Sequence, residues 1–196
     1  MPFPDLVEDA VPASTVVIGN GVARTPYAAS SFFNISGMSF GALSVPAVLA
    51  LSKGAKKAGI WMNTGEGGLS PYHLQGGADI VFQIGTAKYG VRDEHGKLSD
   101  DKLREIAAHE QVRMFEIKMS QGAKPGKGGI LPGNKVNAEI AAIRGIPEGQ
   151  DSISPNGHPE IRNVGDLLDM VNHVREVTGK PVGFKIVLGA YGWLND

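Results

Sequence analysis

The chain has 196 residues, 42% hydrophobic and 20% charged, enough apolar material for a globular domain with a real core. A net charge of −1 without a basic run leaves a nucleic-acid partner no electrostatic support, and no segment is long and apolar enough for a membrane span. Zero cysteines exclude disulfides, thiolate metal sites and iron–sulfur ligands within the chain.

The N-terminus, MPFPDLVEDAVPAS, is acidic and proline-containing, with neither the basic start nor the apolar centre of a signal peptide. Residues 1–30 are therefore expected to be an extended segment ahead of a domain over 31–196, and the protein is expected to be cytoplasmic. Short apolar runs follow at SFFNIS (31–36), IWMNT (60–64), DIVFQIG (79–85), RMFEIKMS (113–120), QDSIS (150–154) and PVGFKIVLG (181–189). Helical patterns separate several of them. Residues 43–58 place Leu43, Ala47, Leu51 and Ala55 on one face, with Ser44 and Pro46 near the start. Residues 99–109 open on Ser99-Asp100-Asp101, and acids suit a helix N-terminus. A weaker pattern covers 135–143. Residues 163–178 begin at Asn163 as a cap, carry Val164, Leu167, Leu168, Val171 and Val174 at helical spacing, and stop at Gly179.

Alternating strands and helices with short connections predict an α/β domain with parallel strands. Six β/α units fit either an open doubly wound sheet or most of a β/α barrel. A complete eight-strand barrel usually needs ~250 residues, so a barrel here would have about six of its eight units. After the sixth strand the chain runs out at AYGWLND with no covering helix.

Glycine-rich loops follow the strands: SGMSFG, NTGEGG, QIGTAKYG, MSQGAKPGKGG and SPNGH all lie at expected strand C-terminal ends. That edge binds ligands in both α/β architectures. Strand alternation puts Phe115, Ile117 and Met119 on one face and Glu116, Lys118 and Ser120 on the other. Likewise Ile80, Phe82 and Ile84 oppose Gln83, and Phe184 and Ile186 oppose Lys185. With the bulky faces on the helices, Lys118, Lys185 and Gln83 share the opposite side. A buried lysine is costly unless an anion meets it, so two of them point to a bound anion; a structural pair such as Lys118–Glu116 is the alternative.

Gly37-Met38-Ser39-Phe40-Gly41 matches the G-x-S-x-G elbow of serine hydrolases. Only 38 residues precede Ser39, and of the five histidines only His158 falls in a suitable strand-end loop, so a nucleophilic Ser39 is disfavoured. The loop at Gly122–Gly129 lacks Walker A spacing and has Gly128 where Ser or Thr is needed. The histidines show no metal-ligand spacing, and no metal site is expected.

ISGMSFGALS, NTGEGGLSPYH, QIGT, EIKMSQGAKPGKGGILPG and PVGFK, in this order and spacing, resemble the FMN-binding synthase domain of glutamate synthases, in particular its stand-alone type. The resemblance runs from about residue 15 onward. It implies a TIM-type β/α barrel that holds FMN at its strand ends and makes L-glutamate from 2-oxoglutarate and ammonia by reducing 2-iminoglutarate. Carried over by motif, Ser36, Gly37, Met38 and Ser39 lie along the flavin, and Gln83 meets the polar edge of its ring. Lys118 and Lys185 lie beside the flavin, where a cation stabilises negative charge on the reduced ring. Glu66, Ser120, Gln121 and Lys124 are substrate-side residues, with Lys127 near the mouth, and Lys118 and Glu66 are the catalytic candidates.

The family also implies an electron-donor protein or subunit, two further strands whose loops hold the FMN phosphate, and cysteines for an iron–sulfur cluster. The chain contains none of these segments, so it reads as an internal piece with weak or no activity alone. Two alternatives are a catalytically silent fragment that self-associates through open barrel edges, and an FMN oxidoreductase acting on another small acid.

Overall fold

The computed structural model describes residues 15–120 and 128–187. Within the expected extended segment, β1 (Val16–Ile18) and β2 (Tyr27–Ala29) pair as an antiparallel hairpin. Helix α1 (Val45–Ala58) begins after Ser44 and takes Pro46 in its first turn, as its sequence predicts, and it ends at left-handed Gly59. Its buried line is Val48, Ser52 and Ala55, one position on from the expected Ala47 and Leu51.

Strand β3 (Trp61–Asn63) leads into a short helix, α2 (Pro71–Gln75), which the apolar pattern did not predict. Its existence rests on Ser70, whose hydroxyl caps the His73 N–H while the His73 side chain reaches back to the Ser70 N–H. Strand β4 (Asp79–Ile84) follows, then α3 (Asp100–Ala108), capped by Ser99 with two acids in its first turn. Strand β5 (Val112–Lys118) precedes β6 (Ile130–Leu131), and α4 (Ala138–Arg144) is capped by Asn137. Strand β7 (Ser152–Ile153), α5 (Val164–Thr178), capped by Asn163, and β8 (Val182–Lys185) complete the order.

The main sheet is parallel throughout, in the order β3-β4-β5-β8. Ile35 adds a parallel bridge to Met62 on the outer side of β3. Neighbours therefore follow chain order, and the order reversal that defines a doubly wound sheet is absent among the described residues.

Two expected strands do not join this sheet as strands. SFFNIS contributes only the Ile35 bridge, and Phe32 and Phe33 are exposed. QDSIS supplies β7, which pairs antiparallel with β6 in a separate ribbon. The described residues thus hold a four-stranded parallel sheet plus one bridge, where six strands were expected. The reason for QDSIS is burial: its one apolar residue, Ile153, is exposed, so the segment has no apolar face to pack against the helices, and it pairs with another two-residue piece.

The two faces of the sheet differ in chemistry, as the alternation predicts. Met62, Ile80, Phe82, Ile84, Phe115 and Ile117 form one core with residues of α1, α3 and α5, among them Val48, Leu103, Met170 and Val174. Asn63, Gln83, Glu116, Lys118 and Lys185 stand on the opposite face, brought side by side by the register Gln83↔Glu116 and Lys118↔Lys185.

Candidate functional site

Glu116 is the hub of the polar face. Its Oε1 accepts 2.9 Å from Asn63 Nδ2 and 2.6 Å from Gln83 Nε2, the two amides coming from β3 and β4. Asn63 and Gln83 are each only 2% exposed, so these bonds satisfy donors that water does not reach. Gln83 must turn its nitrogen toward the carboxylate, which leaves its Oε1 as the acceptor it offers elsewhere.

Lys118 does not pair with Glu116. Its Nζ lies 2.9 Å from Oε2 of Glu66, which the NTGEGG loop after β3 brings across the strand ends. Both side chains are largely buried, at 11% and 21% exposure. A Cβ on Gly129 would strike the Glu66 carboxylate, so a glycine there lets the chain after the 121–127 segment pass over this pair. Lys185 is in register with Lys118 and makes no ion pair among the described residues.

The Ser36–Ser39 turn packs directly on the NTGEGG loop. Gly65 has φ +66°, and a Cβ there would sit 2.8 Å from the Ser39 nitrogen. Gly37 lies beside the Asn63 and Gln83 side chains, so the turn and Gln83 are neighbours. The Met38 peptide is held on both sides: its N–H donates to the Asn63 carbonyl at 3.1 Å, and its C=O faces His73 Nε2 at 2.8 Å. His73 Nδ1 receives the Ser70 N–H, so Nε2 carries the ring proton and donates to Met38. Burial pushes the His73 pKa below its ordinary value and keeps the ring neutral.

Ser120 is exposed beyond the end of β5, where its hydroxyl accepts from the Val187 N–H at 3.2 Å. Gln121, Lys124 and Lys127 lie outside the described residues. The structure therefore brings Ser36–Ser39, Gln83, Glu66, Lys118 and Lys185 to one sheet end.

Sequence reasoning missed several residues there. Asn63 follows from the same alternation rule, since it opposes Met62 in β3. Arg144 had no local signal: it ends α4, yet it is 4% exposed and reaches Ser152 Oγ at 2.9 Å and the Phe40 carbonyl at 3.4 Å. Its guanidinium lies 5.1 Å from the centre of the Tyr89 ring; burial pushes its pKa below the ordinary arginine value, with Tyr89 and the Glu66 charge opposing that shift. It makes no ion pair among the described residues, and its buried Nε has no hydrogen-bond partner. Lys88, 3% exposed, had no signal either; it is the one described non-glycine residue with positive φ, at 54°.

A family model for a conserved region in glutamate synthase matches residues 7–192. The chain belongs to the glutamate synthase family. This glutamate synthase-family chain is 44% identical over 179 residues to the glutamate synthase large subunit-like protein YerD of Bacillus subtilis, covering 91% of the chain and 34% of that protein. It is 46% identical over 155 residues to the archaeal glutamate synthase (NADPH) of Methanocaldococcus jannaschii, covering 78% of the chain and 28% of that protein. The archaeal-type glutamate synthase (NADPH) of Thermotoga maritima is 39% identical over 151 residues, at 76% and 27% coverage. The chain thus spans between about a quarter and a third of the length of these relatives. No helix among the described residues is long and apolar enough to cross a membrane.

Proposed function

We propose that residues 31–187 supply one wall of an FMN site in a glutamate synthase, in which 2-iminoglutarate from 2-oxoglutarate and ammonia is reduced to L-glutamate. The observation that carries this reading is the Lys118–Glu66 pair beside Lys185, on the polar face of the sheet next to the Ser36–Ser39 turn. We also take the four in-order strands and the Ile35 bridge as an arc of a TIM-type barrel. In-order parallel pairing, helices on one face and a polar opposite face support that assignment.

The residues present fit a flavin on two counts. Gln83, with its N–H group committed to Glu116, offers a carbonyl acceptor to a ring imide donor. Lys118 and Lys185 offer two ammonium groups where a reduced ring carries negative charge. FMN, when bound, supplies the hydride chemistry.

The chain's own residues then divide the remaining tasks. Lys118, drawn toward the sheet end by Glu66, sets positive charge beside the reacting groups. Glu66 orients that ammonium and faces the substrate side. Arg144, buried without a carboxylate partner among the described residues, suits a carboxylate of a dicarboxylic substrate. Electrons come from a donor outside this chain; the relatives named above carry NADPH in their names.

Titration of FMN into the purified chain, read by flavin fluorescence and the visible spectrum, tests the proposal. Saturable quenching that Lys118→Met and Gln83→Leu each weaken is the expected result. Quenching that these variants leave unchanged would place any flavin elsewhere.

A further inference from the structure

We infer that His158 is a positioning residue for Lys118, the centre of a three-point clamp that fixes the end of β5 from the 154–160 loop. The inference rests on the reading of Lys118 as a ligand-facing residue.

The need for such a clamp follows from the ladder. Phe115 and Met119 donate their N–H groups to Pro181 and Lys185, so odd-numbered residues of β5 bond toward β8 and even-numbered ones toward β4. Strand β4 ends at Ile84, opposite Ile117, and the chain turns away at Gly85. On the β4 side the Lys118 carbonyl has passed the last strand pair. His158 Nε2 stands there, 3.0 Å from that oxygen, and satisfies it in the place a strand N–H would take.

The loop bearing His158 is tied down on both flanks. Before it, Thr86 Oγ1 donates to the Pro155 carbonyl at 2.6 Å. After it, Lys88 Nζ lies 2.9 Å and 3.1 Å from the two oxygens of Glu160. Both anchors come from the turn that follows β4. Lys88 holds a left-handed backbone normally left to glycine or asparagine, a conformation that persists only where surrounding contacts over-determine it. Its side chain is 4% exposed, so the buried ammonium is tied to this one carboxylate.

His158 is itself 4% exposed, and donation from Nε2 leaves Nδ1 as a buried lone pair with no hydrogen-bond partner among the described residues. A residue placed only for packing would be better served by an apolar ring. The imidazole N–H is what the site needs.

The test is differential amine labelling of the full chain, read peptide by peptide by mass spectrometry, with Lys102 as internal control and FMN titration alongside. His158→Phe keeps the ring and removes the donor; His158→Gln restores an N–H near the Nε2 position. Lys118 labelling is expected to rise on the order of tenfold in His158→Phe, the scale of one buried hydrogen bond lost, and to stay within about twofold in His158→Gln. Glu160→Gln, at a half-exposed position, loosens the clamp from its flank with the imidazole donor retained and should give a smaller rise.

Unchanged Lys118 labelling in both His158→Phe and Glu160→Gln overturns the inference, as does an equal rise at Lys102, which would report general loosening. If the labelling pattern holds while no variant binds FMN, wild type included, the clamp stands and the flavin reading falls.

Discussion

The two ends of the parallel sheet each carry a carboxylate and a cation, but they are finished differently. At the N-terminal end Asp79 uses both oxygens: Oδ2 accepts from Tyr27 Oη at 3.0 Å and Oδ1 from Arg113 Nε at 2.8 Å. Nearby Lys180 is bonded to the carbonyls of His109 and Val112. That cluster locks the β1–β2 hairpin against the sheet. At the C-terminal end Lys118 and Glu66 are paired, yet Lys185 lacks a carboxylate among the described residues. Among the described residues three buried side-chain atoms lack a hydrogen-bond partner, Arg92 Nε, Arg144 Nε and His158 Nδ1, and His158 stands at this end against the Lys118 carbonyl. Closed hydrogen bonding marks a structural end, and open donors and acceptors mark an end prepared for a ligand.

The largest effect that would break or sharpen this contrast is at Lys118. Lys118→Met should weaken FMN binding roughly a hundredfold, or about 2–3 kcal/mol, with a smaller cost to the denaturation midpoint from the Glu66 carboxylate left unpaired. A collapse in stability with binding intact would make the pair structural, like Asp79 and Arg113.

The ends should next separate by pH. Burial holds the pKa values of His73 and His158 below the ordinary 6.5, and the ammonium of Lys88 adds to the effect at His158. The unfolded chain protonates these rings first as pH falls. Stability is therefore fully present above about pH 6.5 and is lost as pH drops toward the lower folded-state values, by up to about 1.4 kcal/mol per pH unit for each ring. Urea melts between pH 7 and 5 check this, and His73→Gln should flatten the slope.

The N-terminal end has the opposite window. Burial, with the Asp79 charge second, raises the Tyr27 pKa from 10.0 to about 12. The unfolded tyrosine ionises first as pH rises, so stability declines between pH 10 and 12. The smallest effect is Tyr27→Phe, expected to cost about 1 kcal/mol at neutral pH and to remove that alkaline decline, without changing flavin binding.

Much of the site was legible because it depends on short-range rules. Period-two alternation in RMFEIKMS and DIVFQIG put Lys118 and Gln83 on the face away from the helices, where the structure has them. Caps at Ser99 and Asn163 and the stop at Gly179 were equally readable, since a side-chain oxygen three residues from an N–H and a left-handed glycine are local geometry. QDSIS misled because a single apolar residue between polar ones looks the same whether its partner is a long parallel strand or Ile130–Leu131.

Composition, periodicity and capping by themselves determined the α/β class, most helix boundaries and the clustering of glycine loops at strand ends, because those energies act over a few residues. Tertiary structure alone decided that Lys118 meets Glu66 and not Glu116, and that His73 holds Met38. It also decided that Arg144 is buried and that His158 takes over where β4 stops. Each of these joins residues 35 to 104 positions apart or depends on where a neighbouring strand ends, and only the packed chain sets those distances.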